Sequence, residues 1–346
     1  MGDVLLEIDG SKGEGGGQMV RTSVAMSVLT GKDVHLTRIR ENRPTNGLSR
    51  QHCAAIGAVA EMTGSKTFGN TPGSRELTFR PGKNMKYQIS TDVGTAGSVS
   101  LVLQAMLLAG SKTDKPLKID ITGGTNVMWA PPIDTYNQVL FPLMKRMGIS
   151  VSAEIRERGF FPEGGGRVSA VLDPVKKIDL LNLPDLGELK GIRGICFIQN
   201  LPDWITKQLI NGCRKPLEPF GGADIEVERT AGISRGAGLC LVAEYENGFL
   251  GSNVMTARGR SPKDAGNDAA KDLVKEMESG ATLDINTADQ LLPYMALAEE
   301  NSVFSVSRIS RHLLSQMDTL ETFLDVSFGV ERRDNVYNFT VNTEGT

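Results

Sequence analysis

Cysteine, histidine and aromatic residues are scarce in this chain. Its 346 residues include four cysteines, three histidines and only 5% aromatic residues. The cysteines form no CxxC pair, which argues against a zinc site or a disulfide framework and favours free thiols in a reducing compartment. No run of about 18 apolar residues occurs, and the N-terminal segment lacks the basic and apolar regions of a signal peptide. We therefore expect a soluble cytoplasmic protein with no membrane partner.

An excess of positive charge is also missing. The chain has 38 Lys and Arg against 41 Asp and Glu, a net charge of −3. Because no bulk positive field attracts nucleic acid, such a partner would need a local basic patch. Glycine, by contrast, is abundant: 39 residues exceed the usual share of about 7%, which indicates many tight turns.

The predicted elements recur along the chain. Strands DVLLEIDG and DVHLTRIRE are each followed by a helix, and the short strands SRELTFRPG and KYQISTDVG come next. The strongly apolar helix AGSVSLVLQAMLLAGS then opens a second round of strand, helix and strand pair. A recurring β-α-β-α-β-β order predicts an α/β chain built from a repeated unit.

The pattern is interrupted near residue 180. A linker containing proline is followed by a β-α-β-β-β-α unit, after which the first pattern resumes. We therefore predict a large repeat-built domain over 1–184 and 278–346, with a small α/β domain inserted at 185–277. The insert is long enough for its own small core. Ser261 and Pro262 predict the start of its last helix.

A glycine-rich turn, GEGGGQ at 13–18, leads into the first helix. Glycine lets the backbone bend sharply, and the free N–H groups at a helix N-terminus favour phosphate. The match to known phosphate-binding motifs is poor, since neither GxxxxGK[ST] nor a full GxGxxG is present. The turn is thus either an anion site or a tight connection without a ligand. Its echo PEGGGR at 162–167 precedes a strand and indicates turn chemistry.

Three histidines are candidates for chemistry. His35 lies within a strand and is interpreted as structural, whereas His52 starts a helix, where it can cap or contact an anion. His312 is predicted in a strand-to-helix junction, three residues before Ser315, which forms an S-x-x-D capping box with Asp318. A histidine beside a helix N-terminus stays neutral, and a neutral imidazole can attack phosphorus. A surface or capping role is the alternative.

Arginines cluster in the first fifth of the chain. Arg38 and Arg40 are predicted on one face of the second strand. We expect a phosphate- or RNA-binding group, to which Gly15, Gly16 and Gly17 contribute, because guanidinium groups hold phosphates bidentately. A solvated basic face is the alternative. The group consists of Arg21, Arg40, Arg43, Arg50 and Gln51.

The segment MWAPP at 128–132 combines two prolines with a tryptophan. Prolines restrict the backbone, so this loop is predicted to be rigid. Its aromatic ring is suited to stacking on a base, or the segment is simply a turn.

Taken together, GEGGGQMVRTS, IRENRPTNGLSRQH, FFPEGGGRV, ADQLLPYMALA and RHLLSQ resemble the RNA 3′-terminal phosphate cyclase family over essentially the whole chain. The resemblance implies an α/β (α+β) fold: a large domain of three repeated β-α-β-α-β-β units with a small inserted α/β domain. The repeats are related to the C-terminal domain of a bacterial translation initiation factor.

The resemblance also implies an ATP-dependent ligase that forms a phosphoric ester bond. The family uses ATP and a divalent cation, Mg²⁺ or Mn²⁺, to convert an RNA 3′-phosphate into a 2′,3′-cyclic phosphodiester. A histidine, at the position of His312, accepts AMP from ATP and passes it to the RNA 3′-phosphate, and the 2′-hydroxyl then closes the ring. Glu14 matches a residue near the phosphates and metal. The residues matching the adenosine pocket are Gln104, Pro131 and a loop of Asn286, Thr287, Ala288, Asp289 and Gln290.

Two rival functions come from related folds. A cyclase-like ribosome-biogenesis protein acts by binding and lacks the histidine, and an enolpyruvyl transferase needs no nucleotide. His312 favours the enzyme. The chain departs from relatives in having Ser315 and Gln316 where HxxTN is common, and Asn286 where an aromatic residue is common. The cellular RNA and self-association into a homo-oligomer are left open.

Overall fold

The computed structural model describes residues 5–14 and 16–343. Within these ranges the chain is mixed α/β, with fifteen strands in four sheets. No helix in the described ranges is long and apolar enough to cross a bilayer.

The first repeat has four strands, ordered β1-β2-β4-β3. Strand β1 pairs parallel with β2, and the remaining pairs are antiparallel. Each helix follows a strand, so both helices pack on one sheet face. The elements are β1 (Leu5–Asp9), α1 (Gly17–Thr30), β2 (Asp33–Thr37), α2 (Arg50–Thr63), β3 (Lys66–Phe68) and β4 (Leu77–Arg80).

The second repeat has the same topology, in the order β5-β6-β8-β7. Its second helix is irregular, with a π-helical segment at Tyr136–Leu140. The elements are β5 (Gln88–Asp92), α3 (Val99–Ala109), β6 (Leu117–Gly123), α4 (Ile133–Thr135), α5 (Phe141–Arg146), β7 (Val151–Glu157) and β8 (Gly166–Leu172).

The inserted segment forms a four-stranded sheet of its own, ordered β10-β9-β11-β12. A cluster of buried apolar residues lies between this sheet and its two helices. That 185–277 is a separate folding domain stays a prediction. The elements are β9 (Leu189–Gln199), α6 (Trp204–Leu217), a 3₁₀ turn (Glu218–Phe220), β10 (Asp224–Thr230), β11 (Gly236–Tyr245), β12 (Phe249–Met255) and α7 (Pro262–Ser279).

The third repeat is completed after the insert. Its sheet order is β13-β15-β14, and the place of a first strand is taken by a single parallel bridge between Asn182 and Val303. The insert thus lies between the first strand position and the first helix of this repeat. The predicted three-repeat fold is confirmed. The elements are α8 (Ile285–Met295), β13 (Ser302–Val306), α9 (Arg311–Phe323), β14 (Val326–Arg333) and β15 (Val336–Thr343).

The strand assignment at the boundary of the first two repeats needs correction. The sequence placed KYQISTDVG directly after SRELTFRPG, whereas β5 from that segment pairs with β6 of the next sheet. Besides β2, strand β4 pairs with β3, which the sequence did not predict and which is only three residues long. So short a strand gives no usable alternation signal.

Helix α1 occupies the centre of the large domain. It is buried from Gln18 to Ser27 and contacts α2, α3 and α9. One of these neighbours, α3, is apolar on nearly all sides and buried. The glycine-rich turn before α1 therefore lies where helices of all three repeats meet.

A buried ion-pair network attaches the insert to the second repeat. Arg158 is 1% exposed and donates to Asp134 at 2.7 and 2.9 Å and to Glu228 of β10 at 2.6 and 2.9 Å. Its guanidinium carbon lies 4.3 Å from the ring centroid of Phe197 in β9. Burial alone would lower the pKa of Arg158, but the hydrogen bonds to both carboxylates raise it. The positive charge of the buried Arg158 is therefore balanced by the carboxylates of Asp134 and Glu228.

Removing Arg158 should be costly, because it leaves the buried Asp134 carboxylate unpaired. We expect Arg158→Leu to lower the free energy of unfolding by about 3–5 kcal/mol in urea denaturation. The control is Arg156→Leu, which removes an exposed arginine paired with Glu154 and should cost at most about 1 kcal/mol. Similar small losses for both variants would show that the network adds little stability.

Candidate active site

A cleft of about 870 Å³ lies between the large domain and the insert. First-turn residues of four helices line it: Gln18 of α1, Gln51 of α2, Asn286 of α8 and His312 of α9. Each helix N-terminus carries partial positive charge and free N–H groups. Four such ends around one cleft favour a strongly anionic ligand.

Helix α9 begins five residues earlier than the sequence predicted. Its N-cap is Ser310, whose Oγ accepts from the N–H of Leu313 at 2.9 Å. Ser315 therefore does not cap; it lies within the helix, because β13 already ends at Val306 and leaves Ser310 free to start the next element. His312 is consequently in the first turn of α9 and not in a junction before it.

The His312 imidazole is held through one ring nitrogen. Nδ1 lies 2.8 Å from Gln18 Oε1 and 2.7 Å from Glu14 Oε2. Because both neighbours are acceptors, Nδ1 carries the proton and Nε2 keeps its lone pair. Among the residues that the structure describes, Nε2 has no hydrogen-bond partner, and the side chain is half exposed at the cleft.

The charge state of His312 follows from its surroundings. Burial lowers its pKa, and the cationic side chains of Arg43 and Arg21 lower it further, while Glu14 opposes both effects. The net pKa lies below the ordinary 6.5, so the ring is neutral at pH 7. A neutral imidazole with a free Nε2 lone pair is a nucleophile.

Glu14 connects the glycine-rich turn to Arg43 and to Ser315 of α9. Its Oε1 accepts from Arg43, and its backbone N–H donates to Ser315 Oγ at 2.9 Å. Gly13 precedes it with φ +58°, and an added Cβ there would lie 2.2 Å from the same Ser315 Oγ. Glycine is thus required at 13 so that α9 can approach the turn.

The glycines after Glu14 serve a similar purpose. A Cβ on Gly17 would lie 2.0 Å from His52 Nε2, so glycine makes room for a side chain of α2. Gly16 and Gly17 line the cleft, whereas Gly15 lies outside the described residues. Whether they contact an anion stays a prediction.

The other two histidines have structural contacts. His52 forms a capping box with Ser49, in which its Nδ1 accepts from the Ser49 N–H at 3.1 Å. Burial, aided by Arg21 and Arg40, lowers the pKa of His52 to about 3, so it is a neutral wall of the cleft. His35 pairs with Glu7 at 2.9 Å, outside the cleft lining.

The predicted strand placement of Arg38 and Arg40 is wrong. Strand β2 ends at Thr37, and the two arginines have φ of +48° and +57°. The chain turns there because the pairing of β2 with β4 stops at Leu36. Arg40 still reaches the cleft and donates to Gly47 O at 3.0 Å.

The predicted phosphate-binding group is only partly brought together. Arg21, Arg40, Arg43 and Gln51 line the cleft, and Gln51 Oε1 also accepts from the N–H of Ser98 at 2.7 Å. Arg50 is exposed at the first position of α2 and is not part of the lining. Arg21 is buried beside Gln104, to which it donates at 3.3 Å, and burial lowers its pKa to about 10.

The segment predicted as an adenosine-binding loop is helical. Helix α8 begins at Ile285, because Asp284 caps it by accepting from the N–H of Thr287 at 2.9 Å. Thr287 and Ala288 are buried away from the cleft. The predicted residues that do line the cleft are Gln104, Pro131, Asn286, Asp289 and Gln290.

Asp289 is a buried carboxyl group in the cleft wall. Burial raises its pKa to about 7, with further increases from the charges of Glu14 and Asp284. The Ser310 hydroxyl, which donates to Oδ1 at 3.0 Å, acts in the opposite direction. A carboxyl group that titrates near neutrality in a cleft is typical of functional sites.

Three cleft side chains have buried polar atoms without a partner among the described residues: Glu14 Oε2, Arg21 Nε and Gln290 Oε1. Buried polar groups in folded proteins are nearly always hydrogen-bonded. Two acceptors and one donor are thus available to a ligand, and this ligand would relieve their desolvation.

Several lining residues were missed from the sequence. Sequence reasoning assigns no role to Gln18, although it lies four residues after Glu14 and offers a second acceptor beside the same turn. Trp129 was noted in MWAPP without being assigned to the site. Asn253 and Arg260 come from the insert, and no local pattern predicts that the insert closes one side of the cleft.

Comparison with known proteins shows what the chain is similar to. A family model described as RNA 3′-terminal phosphate cyclase matches residues 12–330. Proteins named RNA 3′-terminal phosphate cyclase from Methanopyrus kandleri and Methanosarcina barkeri are 38% and 37% identical, covering 95% and 98% of this chain and 96% and 100% of theirs. The solved enolpyruvyl transferase NikO from Streptomyces tendae aligns at 10% identity with a TM-score of 0.37, over all of this chain and 49% of that one.

The pKa of Asp289 predicts a pH-dependent stability. Its native pKa of about 7 exceeds the ordinary 3.8, so between these values the native state binds more protons than the unfolded state. The free energy of unfolding therefore falls as pH rises from about 4 to 7. Asp289→Asn cannot ionise, and from pH 4.5 to 8 it should lose less stability than the parent, by on the order of 3 kcal/mol.

Urea denaturation at the two pH values measures this difference. Asp318→Asn, which changes an exposed carboxylate on α9, serves as the control and should keep the parent profile. Parallel profiles for Asp289→Asn and the parent would contradict the assignment.

Proposed function

The chain belongs to the RNA 3′-terminal phosphate cyclase family, and from this premise we propose that it converts an RNA 3′-terminal phosphate into a 2′,3′-cyclic phosphodiester with consumption of ATP. The observation that carries the proposal is the His312 ring, which is neutral and fixed through Nδ1 at a cleft surrounded by helix N-termini. Its Nε2 has no partner in the part of the chain that the structure describes. This is the arrangement that a nucleophilic attack on phosphorus requires.

In the first step, the Nε2 lone pair attacks the α-phosphorus of ATP, and the bond to the pyrophosphate oxygen breaks. The ring becomes cationic as the P–N bond forms. Gln18 Oε1 and Glu14 Oε2, both within 2.8 Å of Nδ1, stabilise that charge. Because they already point at Nδ1, no reorganisation is needed during the reaction.

In the second step, an oxygen of the RNA 3′-phosphate attacks the same phosphorus, and the P–N bond breaks. His312 returns to its neutral state. The 2′-hydroxyl oxygen then bonds to the 3′-phosphorus. AMP leaves, and the proton of the 2′-hydroxyl is released. Arg43 and Arg40 line the cleft beside His312 and suit the role of holding the two phosphates.

The inner part of the cleft suits the adenosine of ATP. Arg21 Nε and Gln290 Oε1 offer a donor and an acceptor that lack partners within residues 5–14 and 16–343, and Gln104 and Pro131 lie in the same lining. An adenine base presents both donors and acceptors at its edge, so it can satisfy such atoms. We place adenosine there and the triphosphate toward His312.

A divalent cation fits beside Glu14 if it is held mainly by the phosphates of ATP. No three His, Cys, Asp or Glu side chains in the described ranges lie close enough to hold a metal by themselves. Glu14 Oε2 is buried and lies 2.7 Å from His312 Nδ1, but it makes no hydrogen bond among the described residues, so it can serve as one oxygen ligand. Such a cation would offset negative charge on the phosphates, while Glu14 supplies its single protein contact.

The site argues against a binding-only function such as ribosome biogenesis, because a fixed and neutral nucleophile has no use in simple binding. We also propose a cytoplasmic location. The four cysteines are free, and burial raises the pKa of Cys196, Cys213 and Cys240, which keeps these thiols protonated. Unmodified thiols fit a reducing compartment.

The first test of the proposal is covalent labelling by ATP. Incubation with α-³²P-ATP should attach label to the protein, and His312→Ala should abolish it because the attacking nitrogen is gone. His35→Ala, which changes a histidine outside the cleft, should label normally. Label retained on His312→Ala would end the assignment, and an unlabelled parent protein would favour the binding-only alternative.

The second test concerns Glu14. Glu14→Gln keeps the shape but removes the charge that faces Nδ1 and the proposed cation. We expect protein adenylation to slow roughly 10- to 1,000-fold, with a melting temperature close to that of the parent. Raised Mg²⁺ or Mn²⁺ should restore part of the rate.

Glu7→Gln, a change at an exposed carboxylate paired with His35, is the matched control and should be silent. A parental adenylation rate for Glu14→Gln at every metal concentration would show that the carboxylate only shapes the turn.

A further inference from the structure

We propose that Trp129 is a stacking platform for a nucleobase of the RNA substrate, at the outer edge of the cleft. The inference rests on the proposed function, since it assigns the RNA-binding part of the same cleft. The residues that carry it are Trp129 and Met128, which are 95% and 50% exposed and line the cleft together with Pro131.

Exposure alone would not distinguish Trp129, because isolated apolar side chains are common on protein surfaces. Its backbone does. Trp129 has φ +67°, in the left-handed region that a bulky residue rarely adopts. Strain of this kind persists only where the surrounding structure imposes it, and it concentrates at ligand-binding sites.

The structure that holds the backbone of Trp129 in this conformation is the hydrogen-bond network around Arg158. Its Nη1 donates to Asn126 Oδ1 at 3.1 Å, before the Trp129 loop, and to Asp134 Oδ2 at 2.9 Å, after it. Asn126 Nδ2 also donates to Asp134 at 3.3 Å, so the two ends of the loop are joined directly. One buried guanidinium thus fixes a short loop, stiffened by Pro131, that presents an indole to solvent.

The neighbouring charges indicate the occupant. Arg40 and Arg43 line the same cleft, and Arg260 of the insert lies in its wall. Arg43 is paired with Glu14 and Arg260 with Asp268, whereas Arg40 contacts only a backbone carbonyl among the described residues. Proteins that bind single-stranded nucleic acid combine cationic groups for the backbone with exposed aromatic rings for the bases. The protein carries a net charge of −3, so binding of RNA must depend on such a local arrangement.

The occupant is an RNA base and not the adenine of ATP. Adenine recognition uses buried polar atoms. Among the described residues of the cleft lining, Arg21 Nε and Gln290 Oε1 are such atoms without partners, apart from the Glu14 carboxylate beside His312. Trp129 is almost fully exposed and forms no hydrogen bond among the described residues, so it offers only a ring face. A ring face accepts any base, which suits an enzyme acting on RNA ends of varied sequence.

Steady-state kinetics separate the two substrates. Trp129→Ala should raise the KM for a 3′-phosphorylated oligoribonucleotide roughly 5- to 100-fold, while self-adenylation by ATP proceeds at the parental rate. Trp129→Phe should keep most of the affinity for RNA. The matched control is Trp204→Ala, which removes a tryptophan that is 56% exposed in α6 and outside the cleft lining, and it should leave both parameters unchanged.

Fluorescence tests the contact without catalysis. The chain has two tryptophans, so in Trp204→Phe the emission comes from Trp129 alone. A 3′-phosphorylated oligoribonucleotide should quench it, and the same oligonucleotide with abasic sites at its last three positions should not. ATP alone should leave the emission unchanged.

The inference is overturned if Trp129→Ala leaves the RNA KM at the parental value. It is also overturned if ATP quenches Trp129 and the abasic oligonucleotide quenches like the intact one. A parent protein that takes up no label from ATP would defeat the proposed function, but quenching by the intact oligonucleotide alone would still support the platform.

Discussion

The hydrogen bond between His312 Nδ1 and Gln18 Oε1, reinforced by the Glu14 carboxylate, is the contact on which the cleft depends. It joins the first turn of α9, in the third repeat, to the turn before α1, in the first. Nearby, Thr22 Oγ1 donates to Gln316 Oε1 at 3.0 Å and holds the two helices in register. This contact fixes the tautomer and the orientation of the ring, and so determines which nitrogen faces a substrate. Burial and the nearby Arg43 and Arg21, not this contact, keep the ring neutral.

The repeats explain why so many polar groups meet at one place. In each unit a helix follows a strand, and packing the units together brings the N-termini of α1, α2, α8 and α9 to one cleft. Their dipoles favour an anion, while burial keeps His52 neutral and raises the pKa of Asp289 to about 7. The insert, attached through Arg158, closes the open side with Asn253 and Arg260.

The sequence predicted the repeated architecture because the strands and helices have clear periodicity and the insert interrupts it. The Ser261–Pro262 start of α7 was also predicted correctly. Predictions failed where local signals mislead. Ser315 with Asp318 fits the capping-box pattern, whereas the actual N-cap Ser310 is followed three residues later by Leu313. Arg38 and Arg40 continue an alternating pattern past the last strand pair. The site residues His312 and Glu14 could be singled out, but their contact across some 300 residues, and the contribution of the insert, depend on packing that no local pattern encodes.

The bonding position of AMP tests the account most directly. Protein labelled with ¹⁵N-histidine, adenylated and examined by ³¹P and ¹⁵N NMR, reports which ring nitrogen carries phosphorus. Since Nδ1 is held by Gln18 and Glu14, the ³¹P signal should couple to Nε2 of His312, and Nδ1 should keep its proton. Coupling to Nδ1, or a phosphorus signal without coupling to any histidine nitrogen, would contradict the central role of this contact.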